Sequence, residues 1–85
     1  MEKEIGIVEH FFGHINVAGI HITTGKLKIG DTIHVVGHTT DFTEKIEHIQ
    51  IEHNDVTEAK AGDHIGVKME GKCREHDKVY LVTGE

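Results

Sequence analysis

Two stretches of this 85-residue chain, Lys28 to Val35 and Lys60 to Val67, carry the same pattern K-x-G-D-x-I-x-V. The pattern describes a corner that feeds a strand. Glycine supplies the positive φ that a tight corner needs, and the Ile and Val two places apart face the same side of an extended chain. Two copies are too few for a solenoid, and they suit a barrel whose strands enter from equivalent corners. The rest of the chain keeps period two: Glu4–Glu9, Ile15–Ile22, Thr32–Val36, Lys45–Glu52, His64–Met69 and Lys78–Val82 read as strands. Within Lys45–Glu52 the apolar parity shifts between Ile46 and Ile49, which predicts a β-bulge. Val56–Ala61 allows one helical turn and no more. Thr24-Gly25, Gly37, His53-Asn54-Asp55 and Gly71 punctuate the apolar runs as turns. Many short strands at regular spacing predict an all-β barrel or sandwich, and at this length closing the sheet is the economical way to remove exposed edges. A single domain over residues 1–85 is expected.

Composition narrows the function. The one cysteine, Cys73, excludes an internal disulfide and fits a reducing cytosol. The start of the chain, Met1-Glu2-Lys3-Glu4, is charged, and no run approaches the ~18 apolar residues of a membrane span. A soluble cytoplasmic protein without membrane contact is the expectation. The net charge of −6 disfavours generic grip on nucleic-acid phosphates. There is no G-x-x-x-x-G-K-[ST] loop for nucleotide phosphates, and serine is absent from the sequence. These features predict a chain that is not an enzyme and requires no cofactor.

Nine histidines are the compositional anomaly. Protonating all of them takes the net charge from −6 to +3. Solvated strand faces are one reading, and Zn²⁺ or Ni²⁺ binding is the other. Candidate ligand pairs are Cys73 with His76, beside Glu75 and Asp77; His10 with His14, across a turn at Phe11-Phe12-Gly13; and His21 with His34, if they meet on neighbouring strands. An engineered histidine-bearing surface would produce the same composition. Phe11-Phe12 offers either a cover for one end of the barrel or a platform on which bases stack.

The segment Gly25-Lys26-Leu27-Lys28-Ile29-Gly30-Asp31-Thr32-Ile33-His34-Val35-Val36-Gly37 resembles the signature of the second domain of elongation factor Tu and its relatives. Ala59 to Val67 resembles a later segment of that domain, and order and spacing agree over nearly the whole chain. Thr39 to Phe42 and the strand ending Ile51-Glu52-His53 look closer still to short, free-standing elongation-factor-like proteins. The resemblance implies a Greek-key-like barrel of about six to seven strands. It places Gly13, His14, His64, Ile65 and Gly66 where elongation factor Tu builds its pocket for the aminoacyl end of transfer RNA. The implied role is a non-catalytic binding module that contacts RNA, the ribosome or a protein partner. The alternative is a histidine-rich metal- or pH-responsive binding protein.

Overall fold

Alternation along the strands sorts the side chains into an inner and an outer face. Ala18, Ile20 and Ile22, Ile33 and Val35, and Ile65 and Val67 are buried, while their neighbours in sequence are half-buried or exposed. Each fully buried Ile, Leu or Val contributes roughly 1.5–3 kcal/mol through area removed from water. These residues join one core with Ile5, Val8, Leu27, Ile46, Ile49, Met69 and Val79. The structure, a computed structural model, describes residues 2–83; Met1, Gly84 and Glu85, the ends of the expected domain, lie outside the described residues.

Ten short strands occur among the described residues: β1 (Glu2–Phe12), β2 (Val17–Ile22), β3 (Lys26–Lys28), β4 (Thr32–Val36), β5 (Asp41–Lys45), β6 (Ile49–Ile51), β7 (Asn54–Val56), β8 (Glu58–Lys60), β9 (His64–Lys68) and β10 (Lys78–Val82). Eight form one sheet in the order β5-β4-β10-β1-β2-β9-β6-β7, and β3 pairs with β8 as a separate ribbon. Among the described residues no helix is long and apolar enough to cross a membrane.

The sheet must be rolled into a barrel. In a flat sheet the six strand spacings from β5 to β6 would span about 29 Å. Only Ile46, Glu47 and His48 join these strands, and four Cα steps reach no more than about 14 Å. Curling brings the two edges together. The Glu44 carboxylate fastens them by accepting the N–H groups of Glu70 (2.7 Å) and Gly71 (3.0 Å). The chain order is Greek-key-like, since β2 leaves for the ribbon and the chain re-enters at β4, on the far side of β1 and β10.

The repeated motif is one device used twice. Asp31 Oδ2 accepts the Lys28 N–H at 3.0 Å, and Asp63 Oδ2 accepts the Lys60 N–H at 2.9 Å. Gly30 and Gly62 sit at φ 99° and 98°. Each corner then exchanges two backbone bonds with a buried isoleucine. Gly30 N–H donates to the Ile46 carbonyl and Ile46 N–H to the Asp31 carbonyl; Gly62 and Asp63 treat Ile22 in the same way, all at 2.8–2.9 Å. A third corner follows the same plan with no glycine. Asp77 Oδ2 accepts the Arg74 N–H at 2.8 Å, and His76 N–H and the Asp77 carbonyl exchange two bonds with Val8. His76 holds the glycine position at φ 74°.

Three sequence expectations change. The parity shift in Lys45–Glu52 is a break between β5 and β6, where the chain crosses the seam, and not a bulge within one strand. Val56–Ala61 is extended, shared between β7 and β8, because Ala59 faces Leu27 across the ribbon. β1 runs longer than expected, from Glu2 to Phe12, and two bulges lie in it, at Glu4/Gly6 and Val8/His10.

The corners predict an asymmetric response to substitution. No atom crowds a Cβ at Gly30 or Gly62, so Gly30→Ala and Gly62→Ala should each cost only the backbone strain, about 1–2 kcal/mol. His76→Gly should stabilise by up to about 1 kcal/mol, because the strain is already present there. Gly37→Ala should cost more than either, because its Cβ would overlap the Asp77 carboxylate. Urea denaturation of the four variants checks the order.

Candidate functional site

The outer face of β1, β2 and β9 gathers the chain's concentrated imidazole chemistry. Ile20 and Ile65 pair inward, so the next pair in register, His21 and His64, points outward. Their rings stack at 4.2 Å between centroids and 8° between planes. Glu9 occupies the bulge of β1 between Val8 and His10, displaced from the ladder to β2. Its carboxylate reaches His64 Nδ1 at 3.0 Å. The outward neighbours of the histidines on β2 and β9 are Gly19 and Gly66, paired with each other, so no side chain stands between Glu9 and His64 along that lane. One ligand atom each from Glu9, His21 and His64 lies within 4.8 Å of the others, and this is the single such group of three among the described residues.

Of the other candidate pairs, His21 and His34 are placed apart. β2 and β4, which carry His21 and His34, are separated by β1 and β10 in the sheet. His34 instead lies between two carboxylates, with Nδ1 at 2.9 Å from Glu2 and Nε2 at 2.5 Å from Asp41 Oδ1. Hydrogen bonding to Asp41, then to Glu2, holds its pKa above the ordinary 6.5. His10 Nδ1 contacts Glu75 at 3.0 Å, whereas His14 is exposed in the turn after β1. Cys73 is buried, and burial, followed by the charges of Asp77 and Glu44, pushes its thiol up to about 11. A protonated, buried thiol is a poor nucleophile and a poor metal ligand. His76 is exposed and serves as the strained member of the third corner.

The residues implied by the resemblance occupy two ends of the same strands. Gly13 and His14 form the β1–β2 turn, next to the Val17–Lys68 pair; His64 lies at the far end of β9, opposite His21. Four residues of strand, about 13 Å, separate them. Ile65 is buried in the core and Gly66 lies between the two ends. The turn itself presents apolar surface: Phe12 is 46% and Ile15 52% exposed, whereas Phe11 packs on the core. Beside them runs a groove of about 480 Å³ lined by Ile15, Val17, His48, Gln50, Asp55, Gly66 and Lys68. It adjoins a second depression, which shares His48 and Lys68 and adds Glu44, Lys45, Glu47 and Glu70. Four carboxylates face two lysines along this path.

Sequence reasoning missed Glu9. Its signal was the spacing of Ile5, Val8 and Phe11. Three inward residues at intervals of three along a strand require bulges, and a bulge frees a residue such as Glu9.

Comparison with known proteins assigns this arrangement to a described fold. Elongation factor Tu domain 2 matches residues 16–85. An uncharacterized protease of Methanocaldococcus jannaschii is 45% identical over 80 residues, which cover 93% of this chain and 19% of the relative. A collagenase of Porphyromonas gingivalis is 37% identical over 71 residues, covering 82% of this chain and 20% of the relative. The chain thus spans about a fifth of the length of the curated relatives it matches. Two crystal structures of the C-terminal domain of a Geobacillus thermoleovorans protein named as a U32 peptidase share the fold. One has a TM-score of 0.86 at 18% identity, over 93% of this chain and 91% of that one. The other, the selenomethionine variant, has 0.84 at 19%, over 91% and 96%. These relatives correct two expectations. The reading that this is no enzyme is overturned, because the relatives are named as a protease and a collagenase. They also carry the barrel inside longer chains, in place of the free-standing elongation-factor-like proteins that the sequence suggested.

The carboxylates around His34 generate a pH dependence. A raised folded-state pKa makes a stabilising contribution that is fully present below the unfolded value near 6.5 and is lost as pH rises through the folded value. His34→Asn should therefore destabilise the chain at pH 6 and much less at pH 9. Asp41→Asn should lower the His34 pKa. Denaturation at the two pH values and an NMR titration of the His34 ring check both outcomes.

Proposed function

This chain belongs to the elongation factor Tu domain 2 family, and from that premise we propose that it is the polypeptide-binding module of a larger peptidase. In this reading the barrel holds the substrate chain, and peptide-bond cleavage belongs to the other four-fifths of the protein, by analogy with the longer relatives. The observation that carries the reading is the β1–β2 turn surface. Phe12 and Ile15 are large apolar side chains left exposed on this turn, and Ile15 lines a groove with polar walls. Apolar anchors beside a polar rim are the usual anatomy of a peptide-recognition surface.

Charge favours polypeptide over RNA as the occupant. The groove and the depression it adjoins together carry four carboxylates against two lysines, and phosphate contacts dominate nucleic-acid affinity. An extended peptide brings its own backbone donors and acceptors and tolerates mixed charge.

Titrating the nitrogen-15-labelled chain with gelatin peptides should shift the amides of Ile15, Val17, Gly66 and Lys68 together and to saturation. Ile15→Asp should weaken that binding by about tenfold or more. Shifts produced by transfer RNA and not by peptide would overturn the proposal in favour of an RNA-binding module. No response to peptide at millimolar concentration would overturn it as well.

A further inference from the structure

We propose that Glu9, His21 and His64 form a surface site for one divalent transition-metal ion of the Zn²⁺ and Ni²⁺ class. The donor set is two imidazoles and one carboxylate, borne by three adjacent strands, β1, β2 and β9. Imidazole donors select Zn²⁺, Ni²⁺ or Cu²⁺ over Mg²⁺ and Ca²⁺, which prefer sites made wholly of oxygen.

The donors are gathered without the ion. Ligand atoms spread within 4.8 Å can converge on a metal at about 2.0–2.2 Å from each once the stacked rings of His21 and His64 turn out of parallel, so that their in-plane lone pairs meet. The backbone beneath them is fixed. His21 and His64 are in direct register, and the bulge that releases Glu9 is anchored because Val8 exchanges both backbone bonds with the third corner. The paired glycines Gly19 and Gly66 leave the approach over the sheet clear of side chains. His64 is the most exposed of the three side chains, so an ion reaches the site from solvent. Three protein ligands leave the fourth tetrahedral position open to water or to an outside donor. This inference stands apart from the peptide groove, which lies at the other end of β2 and β9.

Calorimetric titration of the chain with Zn²⁺ alone at neutral pH should saturate at one equivalent. His21→Ala and His64→Ala should each weaken that event by at least about tenfold, and Glu9→Gln should weaken it too. His38→Ala and His48→Ala should leave it unchanged, and Mg²⁺ should give no comparable event. All these side chains are at least partly exposed, so circular dichroism should report a folded barrel for every variant. As a second readout on the unmutated chain, paramagnetic Ni²⁺ should broaden resonances of Glu9, His21 and His64 before those of the other histidines. Saturable binding that survives both histidine substitutions, broadening spread evenly over all the histidines, or no saturable binding would each overturn the site.

Discussion

In three places an aspartate carboxylate accepts the backbone N–H three residues before it and holds the intervening residue at positive φ. Each of these corners gives two backbone bonds to a core residue, Ile46, Ile22 or Val8. The rest of the barrel depends on this device. A strand that ends inside a small barrel has backbone polar groups with no ladder partner, and leaving one buried and unmade costs about 1–3 kcal/mol. The corners satisfy those groups and turn the chain in the same step. Two of them flank the β3–β8 ribbon, where Ile29 N–H reaches the Thr57 carbonyl and Ala61 N–H the Gly25 carbonyl. The 32-residue repeat is therefore a local two-fold relation in three dimensions as well as in sequence.

Much of this was legible in the sequence, and the unread parts have physical causes. The glycine corners were readable because Gly followed by Asp is a chemical signature of the conformation. The third corner was not, because Arg74-Glu75-His76-Asp77 carries the same hydrogen bonds on a residue that tolerates positive φ only at a cost. Cys73 and His76 therefore looked like a ligand pair, although one is a core residue and the other a turn residue. The strands with a single parity were placed correctly. β1 was cut short because its bulges break the alternation, and β5 and β6 were fused because the sequence does not mark where a chain crosses a seam. Which histidines meet depends on strand order. Adjacency of His21 to His64, and its separation from His34, follows from β9 pairing with β2 while β10 inserts between β1 and β4.

The two outer surfaces of the β1–β2–β9 face have opposite physical characters. The turn end exposes Phe12 and Ile15, whose burial by a partner would remove apolar area from water, a gain that hardly depends on salt or pH. The far end carries histidines and a carboxylate, whose interactions depend on both. A barrel with rigid strands can present both ends at once because neither contributes to its core. That independence explains how one fold serves translation factors and proteins named as peptidases, since the outer positions can change while the inward Ile and Val stay in place.

The corner that was hardest to read also shapes the outer face. Asp77 is buried against Gly37, whose missing Cβ makes room for the carboxylate. From there the corner takes both backbone bonds of Val8 and keeps it in the core. With Val8 fixed inward and Phe11 packed on the core, three residues must fit where strict alternation needs an even step. The ladder to β2 absorbs the extra residue as the bulge at Val8/His10, and the released residue is Glu9. Glu9 thus leans over β2 toward His64 as a consequence of how β10 is entered, some seventy residues along the chain. A fully regular β1 would return Glu9 to the ladder and leave the stacked histidines without their carboxylate. The chemistry available on the surface is in this sense set by a backbone constraint inside the barrel.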